Sequence, residues 1–124
     1  MLTLVLIALG GACGALLRYG VANLLVTALG RGFPYSTLLI NILGSFLIGL
    51  FAVWFLQREW LSLPYARGLI VGVLGAFTTF STFSLDTLIL LEQGDWLKAG
   101  VYVLGSVASC LLATWLGLIL ARLF

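Results

Sequence analysis

The chain has 124 residues, of which 63% are hydrophobic and only 8% are charged. A soluble domain carries about 25% charged residues, and a soluble chain this apolar could not solvate its own surface. A net charge of +2, no histidine and no basic cluster interleaved with aromatics give no signal for a nucleic-acid partner.

A membrane helix needs about 20 mostly apolar residues, and the sequence supplies four such runs in one all-α unit. The first predicted span covers 2–29 and is interrupted only by Arg18. It resembles a signal peptide at its start, but it lacks a basic leading region and runs on past any cleavage point. It is therefore read as a retained helix. Gly10, Gly11 and Gly14 give it a small-residue face for close helix packing. Cys13 here and Cys110 near the end lack metal-ligand spacing and read as small buried residues.

The second span, 37–56, follows Pro34. Thr37, Asn41 and Ser45 recur every four residues and so share one helical face. Polar side chains are costly in hydrocarbon and mark pathways or interhelical glue. Asn41 suits either role: hydrogen bonding to a neighbouring helix, or an amide donor aimed at a ligand. Gly44 and Gly49 offer a second packing face.

The third span, 66–91, follows Pro64 and contains FTTFSTFS at residues 77–84. At about 100° per residue, Thr78, Thr79, Ser81, Thr82 and Ser84 point around most of the helix. No orientation hides them all from lipid. Their hydroxyls compete with the backbone for hydrogen bonds, and Gly72 and Gly75 precede them. A break is expected between Gly75 and Ser81, near the centre of the span. Broken membrane helices persist only where protein or a wet cavity covers them, and their free carbonyls can bind ions. Phe77 reads as packing. Phe80 and Phe83 can turn positive ring edges toward a small anion.

The fourth span covers 96–123. Ser106, Cys110 and Thr114 form a stripe that either bonds its own helix carbonyls or lines a wet groove. Trp60, Tyr65 and Trp96 fall at span ends, where amphipathic rings favour the interface.

Orientation is undecided by charge. Arg58, Arg67 and Arg122 fall on one side, and Arg18, Arg31 and Lys98 on the other. Either something else fixes the topology or the chain inserts both ways. Dual insertion is the preferred reading, because no bias selects one orientation. It permits an antiparallel homodimer with a two-fold axis in the membrane plane.

No carboxylate lies in the middle of a span, and Asp86 falls beyond the hydroxyl cluster. A proton-coupled cation exporter would want such a group. Neutral donors remain, and they suit a small anion that binds firmly enough to enter and loosely enough to leave. The rival readings are a small multidrug exporter and a non-transporting assembly subunit. No nucleophile or acid–base pair points to an enzyme.

GGACGALLRY, STLLINILGSFLIG and GAFTTFSTFS together resemble the CrcB/Fluc family of fluoride channels, and the likeness covers essentially the whole chain. The resemblance implies a dual-topology antiparallel homodimer in the bacterial inner membrane. It would export fluoride passively through two pores. The implied pore residues are Asn41, Phe80 and Phe83, with a polar track of Ser81, Thr82, Ser106 and Cys110. Arg18 is the implied vestibule cation. A structural sodium ion on the dimer axis would be held by the Gly75 and Thr78 carbonyls. Two positions depart from the family pattern: Ser36 where glycine is frequent, and Cys110 where serine is. A thiol donates more weakly than a hydroxyl.

Overall fold

The computed structural model describes all residues, 1–124. It is helical throughout. α1 spans Leu2–Leu29 and α2 spans Tyr35–Gln57. A short α3, Pro64–Arg67, leads into a π-helical turn, Gly68–Leu74, and then a one-turn α4, Gly75–Phe77. α5 spans Phe80–Glu92 and α6 spans Trp96–Arg122. Four stretches are long and apolar enough to cross a membrane: Leu2–Leu29, Tyr35–Gln57, Pro64–Glu92 and Trp96–Arg122.

Only 20 of the 124 residues are buried, so the apolar surface faces outward as lipid contact requires. Leu4, Leu16, Leu24, Leu104 and Leu111 all stand exposed. Trp60, Tyr65 and Trp96 lie exposed at helix ends, as expected of interfacial rings. Cys13 corrects the sequence reading: it is exposed on α1 rather than buried. Gly10 and Gly14 turn inward and leave it on the outer face.

Glycine sets the packing, because without Cβ atoms two backbones can touch. α2 and α6 pair closely, and a Cβ on Gly49 or Gly117 would run into the Thr114 or Phe46 carbonyl. Phe33 meets Tyr102 near one end of this pair and Arg58 meets Phe124 near the other, so α2 and α6 run the same way. α1 lies against the π-helical turn. Gly10 abuts the Gly68 carbonyl and Gly14 abuts that of Val73. A Cβ on Gly11 would meet nothing within 4 Å, but its backbone nitrogen joins Gly10 against Gly72, where an added Cβ would come within 3.1 Å of it.

The third span is broken where the hydroxyls gather. Thr78 is extended at φ −78°, ψ 157°, and Thr79 at φ −153°, ψ 113°. The break falls inside the expected Gly75–Ser81 window. The π-helical turn before it has no counterpart in the sequence reading, since it leaves no side-chain signature.

Candidate functional site

Two extended residues in mid-membrane free backbone groups that must find partners. Asn41, facing the break from α2, supplies two of them. Its Nδ2 donates to the Thr79 carbonyl at 3.0 Å, and its Oδ1 accepts from the Thr79 N–H at 2.8 Å. The primary amide thus imitates a backbone strand neighbour. Nδ2 carries two hydrogens, and the second makes no hydrogen bond within the chain.

Thr79 organises the rest of the break. It is buried at 8% exposure and caps α5, its Oγ1 accepting from the Thr82 N–H at 3.2 Å. The same hydroxyl donates to Thr82 Oγ1 at 3.0 Å and lies 3.3 Å from Ser81 Oγ. Thr78 Oγ1 donates to the Leu74 carbonyl at 3.1 Å, and Ser84 Oγ to that of Phe80 at 3.0 Å. The crowded hydroxyls are therefore divided between closing a helix end, opening the next and bonding to one another.

These bonds leave two carbonyls without their helical donors. A continuous helix would send the Thr79 N–H to Gly75 and the Thr82 N–H to Thr78. Both N–H groups are bonded to side chains instead.

Beside the break lies an open groove of about 250 Å³. α2 contributes Asn41 and Ser45, the break contributes Thr78 and Thr79, and α5 contributes Phe80 and Phe83. Ser106, Val107 and Cys110 of α6 form the far wall. Ser106 is 5% exposed, and its Oγ has no hydrogen-bond partner in the chain. An orphaned buried hydroxyl costs about 1–3 kcal/mol, so Ser106, in the groove wall, keeps a donor that the fold does not use. The Phe80 and Phe83 rings lie 5.3 Å apart at 40°, and Phe83 stacks 5.2 Å from Tyr102. Phe80 is 77% exposed.

Five sequence-predicted residues thus meet in one place: Asn41, Phe80, Phe83, Ser106 and Cys110. Thr78 lines the same groove, while Gly75 sits one turn back. Ser81 and Thr82 do not line it within a single chain; they join the Thr79 hydroxyl cluster. Arg18 stands apart on α1, half-buried, with neither a hydrogen bond nor an ion pair.

Sequence reasoning missed two residues here. Thr79 went unsingled among the hydroxyls, although a threonine three positions before Thr82 at a helix start is a capping signal. Asp86 was set aside as beyond the cluster. It lies between helices, accepting from Thr37 Oγ1 at 2.7 Å and from the fully buried Tyr102 hydroxyl at 3.2 Å. Thr37 is one helical turn before Asn41, and that stripe was the available clue.

No charged side chain lines the groove. Its free donors are an amide hydrogen, the Ser45 and Ser106 hydroxyls, a thiol and ring edges. Such a set can replace part of the water around a small anion without trapping it.

A family model described as "CrcB-like protein, Camphor Resistance (CrcB)" matches residues 5–118. A protein of Methylococcus capsulatus called "Fluoride-specific ion channel FluC" is 55% identical over 98% of this chain, which spans 53% of that protein's length. One of the same name from Geobacter metallireducens is 50% identical over 98% of both chains. Another, from Magnetococcus marinus, is 50% identical over 94% of this chain and 95% of its own. The length of the match, from α1 through most of α6, takes in every residue of the groove, and the chain belongs to the CrcB family.

Proposed function

We propose that this protein is a fluoride-selective ion channel of the bacterial inner membrane, passing cytoplasmic fluoride outward down its electrochemical gradient. The observation that carries the reading is the groove of neutral polar residues at the helix break, whose wall includes Ser106 with its unpartnered buried hydroxyl. The names of the relatives support the choice of ion. Fluoride is small and strongly hydrated, so a selective path needs several donors at close quarters. Asn41, Ser106 and Cys110 donate, and the edges of Phe80 and Phe83 border the ion. Ser81 and Thr82 extend the polar track from the break, and Arg18 draws anions toward the vestibule. Hydrogen fluoride enters cells as a neutral acid and ionises inside. A passive exit for the anion then lowers its level without an energy source.

The channel is an antiparallel homodimer with two pores. Its support is the open side of the groove: Phe80, a pore residue in this reading, is 77% exposed in one chain and needs a second copy to enclose it. The balance of three cationic residues on each side supports opposite insertion of the two copies. The Gly75 and Thr78 carbonyls fit a structural sodium ion at the dimer axis, because both lack their helical donors. Such an ion would tie the two breaks together by neutral oxygen contacts.

The deciding experiment is efflux from liposomes holding the purified protein, read first with a fluoride electrode and then with a chloride electrode. Rapid fluoride release without chloride release is expected. Well-assembled dimers that release no fluoride would refute the reading.

A further inference from the structure

α2 ends at Arg58, whose guanidinium carbon lies 4.5 Å from the Trp54 ring centroid and 5.8 Å from that of Trp60. Its hydrogen bonds go only to the Trp54 and Phe124 main-chain oxygens, both at 3.4 Å, the long limit for such bonds. The chain's one ion pair, Lys98–Asp95 at 3.5 Å, lies at the opposite membrane face. Arg58 is thus held in place by two indole rings, with no side-chain carboxylate within ion-pair reach and only oxygens of Trp54 and of the last residue, Phe124, as acceptors.

From Arg58 an apolar groove of about 500 Å³ descends between α2 and α6, walled by Leu50, Phe51, Trp54 and Leu120. The eight residue steps from Leu50 to Arg58 rise about 12 Å. That approaches the roughly 15 Å of hydrocarbon in one leaflet. The surrounding face reinforces the charge. It carries Arg58, Arg67 and Arg122 against Glu59 alone, whereas the opposite face balances Arg31 and Lys98 with Glu92 and Asp95.

We infer that this groove is a binding site for an anionic phospholipid. The headgroup phosphate pairs with the Trp-held guanidinium, and one acyl chain lies along Leu50, Phe51 and Leu120. A guanidinium matches phosphate oxygens through two parallel donors, and a neutral detergent tail would satisfy only the slot. The site is separate from the groove at the helix break, and neither reading depends on the other.

The test uses the purified protein reconstituted in vesicles, with Trp96→Phe and Trp115→Phe so that emission reports Trp54 and Trp60. Phosphatidylglycerol brominated on its acyl chains is compared, as quencher, with equally brominated phosphatidylcholine. An enrichment of the anionic lipid by about fivefold is expected, as one basic residue near an anionic surface provides. Arg58→Gln should abolish the preference, and Arg58→Lys should retain part of it. Excess inorganic phosphate should not displace the lipid. Equal quenching by both lipids, or a preference unchanged in Arg58→Gln, would overturn the proposal. Displacement by free phosphate would do the same. So would an equal loss in Arg122→Gln, which would place the effect in the general field of the face. Any variant that lost fold would show it as a changed elution, and Arg58→Lys keeps the comparison decisive.

Discussion

Asn41 and Thr79 exchange two hydrogen bonds, side-chain amide to main-chain peptide, across 38 residues of sequence. One residue therefore both holds the helix break open and presents a spare amide hydrogen to the groove. The two roles separate by substitution. Asn41→Leu leaves the Thr79 N–H and carbonyl unpaired, at about 1–3 kcal/mol for each group, and should lower thermal stability in detergent as well as stop fluoride flux. Asn41→Asp keeps the acceptor for the Thr79 N–H, gives up the donor to the Thr79 carbonyl at about 1–3 kcal/mol, and adds negative charge. It should fold, yet cut flux by at least about tenfold, since a like charge at close range opposes the anion. Normal flux in Asn41→Asp would remove this residue from the pathway.

Phe80 and Phe83 should respond alike in flux and differently in stability. Phe80 is largely exposed in one chain, while Phe83 packs on Tyr102. Phe80→Ile should shift unfolding of the detached protomer by less than about 0.5 kcal/mol. Phe83→Ile should cost about 1 kcal/mol through its lost ring contacts. Both should cripple fluoride efflux from liposomes while the protein still elutes as the parent does. Undiminished efflux in both variants would mean the ring edges do not border the ion.

Ser106→Ala removes a buried hydroxyl that the fold does not use. Thermal stability should hold or rise by about 1 kcal/mol, while flux falls. A hydroxyl serving as interhelical glue would give the opposite pattern, with stability lost and flux kept. Cys110→Ser, which restores a stronger donor in the same wall, should conduct at least as fast as the parent.

Glycine packing is testable apart from transport. In Gly117→Ala the new methyl meets the Phe46 carbonyl, whereas in Gly105→Ala it meets nothing. The first should cost about 1–3 kcal/mol by overpacking. The second should stay within about 0.5 kcal/mol. Detergent melting curves read both.

The four spans were legible because each is a long apolar run, and bilayer thickness fixes the length required. The break was legible for another reason: hydroxyls all around a helix cannot be hidden from lipid. Asn41 was only half legible. Its residue type announced a hydrogen-bond role, but a partner that is main chain leaves no mark on the sequence. Asp86 was misplaced because distance along the span from the Thr79 cluster was taken as distance from the bundle interior. Its bonds to Thr37 and Tyr102 come from two other helices, which only packing brings together. The π-helical turn against α1 was invisible, since it depends on how closely α1 approaches its backbone. Arg18 entered through family likeness alone, and within one chain it stands outside the groove.

The Asn41 clamp also bears on how the protein is made. A third span entering the bilayer alone would carry an unpaired peptide group at Thr79, at a cost of several kcal/mol. Its partner lies in the preceding span, which leaves the ribosome earlier. The order of synthesis therefore delivers the template before the segment that needs it.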